Sequence, residues 1–508
     1  MVIEMDNKWI RLGALLGISA SILIILLGIY FTPDYVARNL SPDGILEPTT
    51  IYKINIIRIG AVIAGILILL YCILNWFQKH EIIILKIFQN NYTLLGAIFL
   101  FFIIFLPSGD FRHDIKVFVY WSNFVYEHGI ANAYKIGIQY HPISIYLFYI
   151  IGFYQKYFGN ISDTYNILKL IVLLFDMWGI WLITRFTAPK RHTRIILFSF
   201  INIAFWYNTI IWGQVDSIFS TMVFASVYMA IKGNIKNALM FMLLSLNFKL
   251  QPIIFVPIIL IFLVPYFFKV FDLKKILVVL SSLIFIQLAI IFPFLIPEEL
   301  GRIKNVVTGA VDFHAVVSMN AYNFWDLLLE GNLMTLKDNI VVNGLSYKNW
   351  GLLMFFATSF IALTPLLIIA FRKRNDEVIL YSNNQNTLNI IFLSCGLIPL
   401  LFFFFNTQMH ERYSHPALLF IFAFSYVNKN YIPLLLFSIA YFLNLDGVLH
   451  AFKLFGLRKN PILFSRDLIA AYYAMLILYL FLYLYKISIK GERIFSKPST
   501  DRRQEEGK

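Results

Sequence analysis

Charge is what this sequence has least of. Asp, Glu, Lys and Arg make up 14% of its 508 residues, against roughly a quarter in ordinary soluble domains. That shortage argues against a water-soluble globular chain of this length. Cysteine is scarcer still: Cys72 and Cys395 are the only two, and both sit inside apolar runs. A disulfide framework and a cysteine-built metal site are thereby excluded. No glycine-rich, phosphate-cradling loop is present, so a nucleotide site of that kind has no footing. The apolar runs do not alternate in polarity, which excludes a transmembrane β-barrel.

What is abundant is apolar surface. Hydrophobic residues reach 59%, and mean hydropathy is +0.73. Runs of about 18–20 apolar residues recur, each long enough to cross about 30 Å of hydrocarbon. The fold class expected is an all-α polytopic membrane protein. The net charge of +14 is not a nucleic-acid signal, because Lys and Arg collect on the cytoplasmic loops of membrane proteins. The partner it implies is the lipid bilayer, with no nucleic acid. The opening MVIEMDNKWIR leads into an apolar run without a small-residue cleavage site, so it reads as a retained first span.

Spans are expected at about 11–31, 56–78, 92–107, 163–185, 193–211, 214–231, 235–250, 252–268, 275–297, 350–371, 388–405, 413–427, 431–447 and 467–486. That makes about fourteen transmembrane helices. The apolar stretch 142–158 decides the topology. If it crosses, the basic cluster Arg185, Lys190, Arg191 and Arg194 falls opposite Lys79. If it lies in the interface, that cluster joins Lys232–Lys236, Lys269–Lys275, Arg372–Arg374 and the basic tail on one side. The bias of basic residues toward the cytoplasm favours the interfacial helix. Both termini are then cytoplasmic. The polar segments 107–142, 212–216, 249–252, 298–349 and 406–415 all face the outside. No soluble domain is visible. The division expected is 1–80 as two additional N-terminal helices, and 81–430 as a core with external loops 107–162 and 298–349. The C-terminal helices follow at 431–487, with a disordered tail at 488–508.

The first external loop concentrates Asp110, Arg112, His113, Asp114, Glu127 and His128 among aromatics. Asp110 and Asp114 are four apart and share one face of a short helix. A carboxylate there can act as a general base toward a hydroxyl. Asp114 heads a register with Phe118 and Trp121. In Trp212-Gly213-Gln214-Val215-Asp216, Gln214 and Asp216 can hydrogen-bond a sugar, while Asp216 also suits a helix N-terminus. Lys249, between two apolar runs and outside, points to an anion unless it merely snorkels. In the 298–349 loop, Asn320, Tyr322 and Asn323 place amides beside aromatics, a pairing that suits hydroxyls and the apolar face of a sugar. In Asn406–Tyr413, Arg412 is the natural bidentate partner of a phosphate, unless Glu411 and Arg412 only neutralise each other. Asp176 lies inside a span and reads as a structural hydrogen-bond or ion partner.

At these residues the chain resembles the GT-C superfamily of integral-membrane glycosyltransferases. It looks most like the prokaryotic relatives of GPI mannosyltransferase II (PIG-V). The motifs that carry the likeness are Asp114 with Phe118 and Trp121, the Tyr140-His141-Pro142 turn, Trp212-Gly213-Gln214-Val215-Asp216, Lys249-Leu250-Gln251-Pro252, Asn320-Ala321-Tyr322-Asn323-Phe324-Trp325 and His410-Glu411-Arg412-Tyr413. Together they span residues 110–413. Tyr140-His141-Pro142 stands where the family usually has Tyr-Pro-Pro, and Lys249-Leu250-Gln251 where it has Lys-Pro-Gln. The resemblance implies a GT-C-like fold with interfacial helices in the first loop. It also implies inverting, metal-independent and cofactor-free transfer of a hexose, mannose being the sugar expected. The donor would be a polyprenyl- or dolichyl-phosphate sugar, and the acceptor a hydroxyl of a glycan, glycolipid or protein. By that carry-over Asp114 is the catalytic base and Asp110 the secondary acid. Arg412, His410 and Lys249 hold the donor phosphate. Gln214, Asp216, Gln251, Asn320, Tyr322, Asn323, Glu411, Tyr140 and His141 line the sugar and acceptor. The site would face outward from a plasma or inner membrane in a prokaryote, and into the ER lumen in a eukaryote. The competing expectation is a lipid or polysaccharide transporter or flippase, which would carry its ionisable groups near the midplane on broken helices, with inverted repeats.

Overall fold

The computed structural model describes residues 91–105, 113–158, 161–269, 272–309, 314–372, 385–449 and 465–495. The two expected spans before residue 80, Asp110 and the last thirteen positions from 496 lie outside the described residues. Each expected span from 92–107 onward coincides with helix. The chain begins with α1 (Asn91–Phe105), α2 (His113–His128) and α3 (Pro142–Phe158). Next come α4 (Ile161–Thr184), α5 (His192–Ile201), α6 (Ile203–Trp206), α7 (Asp216–Ile231) and α8 (Ile235–Phe248). Then follow α9 (Val256–Lys269), α10 (Leu273–Ile291), α11 (Pro297–Gly309) and α12 (Phe324–Leu328). The last are α13 (Tyr347–Arg372), α14 (Gln385–Phe405), α15 (Ala417–Asn428), α16 (Ile432–Leu449) and α17 (Arg466–Phe495). This is an all-α membrane protein. Six helices among the described residues are long and apolar enough to cross a bilayer, or seven if one bent pair counts as a span.

Several expected spans are therefore too short to cross unaided. Helices α7, α8 and α15 have 16, 14 and 12 residues, so they reach only about 18–24 Å at 1.5 Å per residue. Each stops at a polar segment: α7 begins at Asp216, α8 ends just before Lys249, and α15 begins after Pro416. The expected span 193–211 is broken as well. It bends by 67° between Ile201 and Ile203, because the Asn202 side chain accepts from Ala204 N at 3.1 Å and caps a new helix. The new helix opens into a π turn over Tyr207–Ile211. The last helix runs the other way: α17 continues to Phe495, past the expected span end at 486 and into the segment expected to be disordered. Lys, Glu and Arg in that stretch are good helix formers and extend it.

Helix α14 is apolar all round and central, with 89% of its spanning window buried. It packs with α13, α15 and α17 around the main core. Helix α10 is the opposite, at 6% buried. Two polar fastenings hold it. Asn247 Nδ2 donates to Gln287 Oε1 at 2.7 Å, while Gln287 Nε2 donates back to Asn247 Oδ1 at 3.1 Å. Tyr146 O–H donates to the Ile290 carbonyl at 2.9 Å. Gln287→Leu is expected to strip that clamp and lower stability by about 1 kcal/mol, read as a lower melting temperature in detergent. An unchanged melt would show that the Asn247–Gln287 clamp does not hold α10.

Helices α2 and α3 form a second, smaller core with Phe118, Val125, Ile145 and Phe148. Their contact is tight enough that a Cβ added at Gly152 would strike the Ser122 carbonyl oxygen. Tyr149, Phe153, Tyr157 and Phe158 leave the outer face of α3 aromatic and exposed. A third element ties the 298–349 loop to the bundle. Two-residue strands β1 (Ser318–Met319) and β4 (Met409–His410) pair in parallel, while β2 (Val341–Val342) and β3 (Leu345–Ser346) form a separate hairpin.

Candidate functional site

Three segment ends meet at one place. The chain leaves the π turn through Gly213, whose φ of 76° is available without strain only to glycine. Gln214 N donates to Asn208 O at 2.9 Å, and Asp216 then opens α7. Lys249 follows α8 in extended conformation, and Pro252 starts the short 3-10 turn Gln251–Phe255. The third end is 406–415. Thr407 Oγ1 and Gln408 Nε2 both donate to Asp338 Oδ2, at 2.8 and 2.7 Å. His410 is held by β4 and by a bridge to Asn320. Asn320 and Gln408 both take left-handed backbone, at φ 65° and 63°, which asparagine tolerates best.

Asp216 is the hub. Lys249 Nζ donates to its Oδ1 at 2.6 Å. Arg412 Nε lies 3.4 Å from Oδ2, and Asn208 Nδ2 donates to Oδ2 at 3.4 Å. Arg412 also donates to Glu411 Oε1 at 2.7 Å, and His410 Nδ1 stands 3.8 Å from Glu411 Oε2. The burial is polarised. The Lys249, Arg412 and His410 side chains keep 17, 12 and 17% of their exposure, while those of Asp216 and Glu411 keep 2 and 3%. The basic side chains keep what exposure the cluster has, and the carboxylates are the buried part of it. Lys249 also sits 4.9 Å above the Tyr413 ring, a favourable cation–π contact.

The electrostatics follow. Burial opposes the Glu411 charge, but Arg412 and His410 outweigh it and hold the carboxyl below its ordinary value. Burial, then His410 and Arg412, push the His314 imidazole below its ordinary value. Its ring centroid is 5.3 Å from that of His410. Burial raises the Tyr140 hydroxyl to about 12, with Lys249, Asp216, Arg412 and Tyr413 also acting on it.

The site residues expected from the sequence divide in two. Asp216, Lys249, His410, Glu411, Arg412 and Tyr140 come together. Gln251 joins them, donating to Tyr413 O at 3.0 Å, while its buried Oε1 has no hydrogen-bond partner among the described residues. Gln214 is buried beneath the same turn. No family model matches the chain. No curated protein matches it.

Other expected residues have framework roles. Asn323 is fully buried; its amide donates to Phe403 O at 3.0 Å, and its oxygen caps α12 in a reciprocal box with Asp326. The amide thus has its partners in main chain rather than in an open site. His141 Nδ1 donates to Leu246 O at 2.7 Å and fixes α3 to α8. Tyr322 N donates to Asn444 Oδ1 at 2.8 Å, and Asn444 also donates to Glu411 O. Asp114 falls in the first turn of α2; its side chain, like Asp110, lies outside the described residues. Sequence reasoning missed His314, Asn208, Asp338 and Asn444. None stands in a motif, and only the fold brings them within reach. Among the described residues no group of three or more His, Cys, Asp or Glu is gathered that would hold a metal ion.

Chemically, an anion reaching the exposed part of the cluster meets two fixed cations and an imidazole. The buried carboxylates hold the cations in place. Preorganised donors of this kind stabilise a leaving phosphate without reorganising.

Proposed function

We propose that the protein is a membrane glycosyltransferase of GT-C type. It moves a hexose, mannose by the likeness of its motifs, from a polyprenyl-phosphate donor to an acceptor hydroxyl, with inversion and without a metal. The observation that carries the reading is the polarised cluster: Lys249, Arg412 and His410 part-exposed, Asp216 and Glu411 buried. An unaccompanied phosphate monoanion or diester fits that polarity. Trp121 and Tyr140, partly buried and backed by the core residues Phe118 and Phe148 at ring-centroid distances of 5.7–6.0 Å, adjoin it and suit a sugar ring. Asp114, one turn before Phe118, is the base proposed to take the acceptor proton. The lipid-facing helices supply apolar contact for the isoprenoid, remote from the bond that breaks.

The deciding experiment incubates the purified chain with labelled polyprenyl-phosphate hexoses and identifies the product and its anomeric configuration. Transfer with inversion is expected from one of them. Arg412→Ala is expected to weaken donor binding about 10- to 100-fold, the worth of a charged hydrogen bond. Unchanged donor affinity would remove the phosphate role from Arg412.

One observation favours a second reading, a lipid or polysaccharide transporter. The bent helix pair at Asn202 carries buried polar groups beside Asp176, as discontinuous transporter helices do. Movement of a labelled polyprenyl-phosphate sugar across proteoliposomes, with no covalent product, would select it.

A further inference from the structure

Behind the cation cluster runs a line of buried polar side chains that sugar transfer does not use. The Thr209 hydroxyl, in the π turn, donates to Asp176 Oδ2 on α4 at 2.7 Å. Thr209 Oγ1 is 3.0 Å from Ser217 Oγ, and Ser217 Oγ is 3.0 Å from His415 Nε2. His415 Nδ1 is 3.0 Å from the Tyr441 hydroxyl on α16. All five residues are 3% exposed or less.

The donor inventory gives the line a direction. Thr209 has one hydroxyl proton and commits it to Asp176, so toward Ser217 it can only accept. Ser217 also has one hydroxyl proton, which goes to Thr209 or directly to the Asp176 carboxylate that it also hydrogen-bonds; either way, toward His415 it can only accept. His415 Nε2 therefore carries a hydrogen. Both ring partners of His415 are uncharged hydroxyls, so the neutral ring is the cheaper form in this buried place. A neutral imidazole has one N–H, which leaves Nδ1 to accept from Tyr441.

The line touches the site at Ser217 and at His415. Ser217 is the neighbour of Asp216 in the first turn of α7. His415 N donates to Arg412 O at 2.9 Å, closing the turn that carries the guanidinium. We infer that Asp176, Thr209, Ser217, His415 and Tyr441 form a one-way hydrogen-bond relay, with Asp176 Oδ2 as terminal acceptor, that fixes His415 as the Nε2–H tautomer and so positions Arg412 against Asp216. Asp176, Ser217 and His415 are positioning residues; none is proposed to touch substrate. Only the activity arm of the test rests on the sugar-transfer reading.

The test is 15N NMR of the full chain labelled at histidine, with His415→Gln assigning the His415 signals. Wild type is expected to show a protonated Nε2 and an unprotonated Nδ1. Asp176→Asn keeps an acceptor oxygen, so it is expected to keep that tautomer and near-normal transfer. Asp176→Leu removes the acceptor. It is expected to mix the tautomers and lower kcat/KM for a polyprenyl-phosphate hexose about 10- to 100-fold, the effect of a small displacement of a binding group. Ser217→Ala carries the same spectroscopic test if Asp176→Leu does not fold. A charged or Nδ1–H His415 in wild type overturns the relay, and so does a His415 spectrum unmoved by Asp176→Leu or Ser217→Ala. The expected tautomer with no transfer from any donor overturns sugar transfer and leaves the relay standing. Transfer with the wrong tautomer does the reverse.

Discussion

Asp216→Leu is expected to destabilise the protein by about 3–5 kcal/mol, the cost of removing one side of a buried ion pair. The size follows from what is left behind. Lys249 and Arg412 both point at the Asp216 carboxylate, at 2.6 and 3.4 Å. Without it two cations share a largely dry place, with Glu411 left to oppose them. The lysine retains the faces of Tyr413 and Phe219, which recover a fraction of the loss. A second substitution isolates the cause. Asp216→Leu with Lys249→Met removes one stranded cation and is expected to regain part of the lost stability, because apolar replacement of a whole buried pair is often neutral. Thermal unfolding in detergent measures both variants. A single variant that melts with wild type, or a double variant no better than the single, would displace Asp216 from the centre of the site.

Asp114→Asn is expected to cut sugar transfer about 10²- to 10⁴-fold, the usual contribution of a positioned general base. The amide keeps the shape and loses the proton acceptor. Donor binding is expected to survive, because the proposed phosphate partners Lys249, His410 and Arg412 come from other segments. Asp114 lies in the first turn of α2, and Phe118, one turn on, packs against Tyr140 at 5.7 Å. Asp110→Asn is expected to have the smaller effect, because Asp110 lies outside the aromatic register. Single-turnover kinetics with a polyprenyl-phosphate hexose separate the steps. Full turnover in Asp114→Asn would end the one-base scheme.

Much of this architecture is legible before any coordinates. Apolar runs locate the helices because hydrocarbon forces every backbone polar group into local hydrogen bonds. Asp216, Lys249 and Arg412 are conspicuous for the same reason, since an ionisable group between apolar runs needs a partner. The sequence does not say that they are one another's partners. That requires α7, α8 and α15 to end at a common place, which is a long-range fact. The helix ends differ from the expected ones by a few residues, because polar Gln214 and the turn 413–416 stand before the first helical residues Asp216 and Ala417. Asn323 misleads for another reason. An amide beside aromatics looks the same whether it faces a ligand or caps a five-residue helix. His314 and Asn444 carry no local signal, being ordinary residues until β1 and β4 pair and Asn444 reaches the turn.

Helix α10 gives the chain an uneven tolerance for change. With 6% of its window buried, nearly every position on it has to be apolar and little more. Very many sequences meet that demand, so apolar replacements along it are expected to cost little. Lys274, Lys275, Ser281 and Ser282 are polar as well, but Gln287 reaches another helix, being answerable to Asn247. The short polar ends have no such freedom, because each group there answers to several others at once. The latitude for substitution is therefore widest on the lipid-facing helices and narrowest at these helix ends.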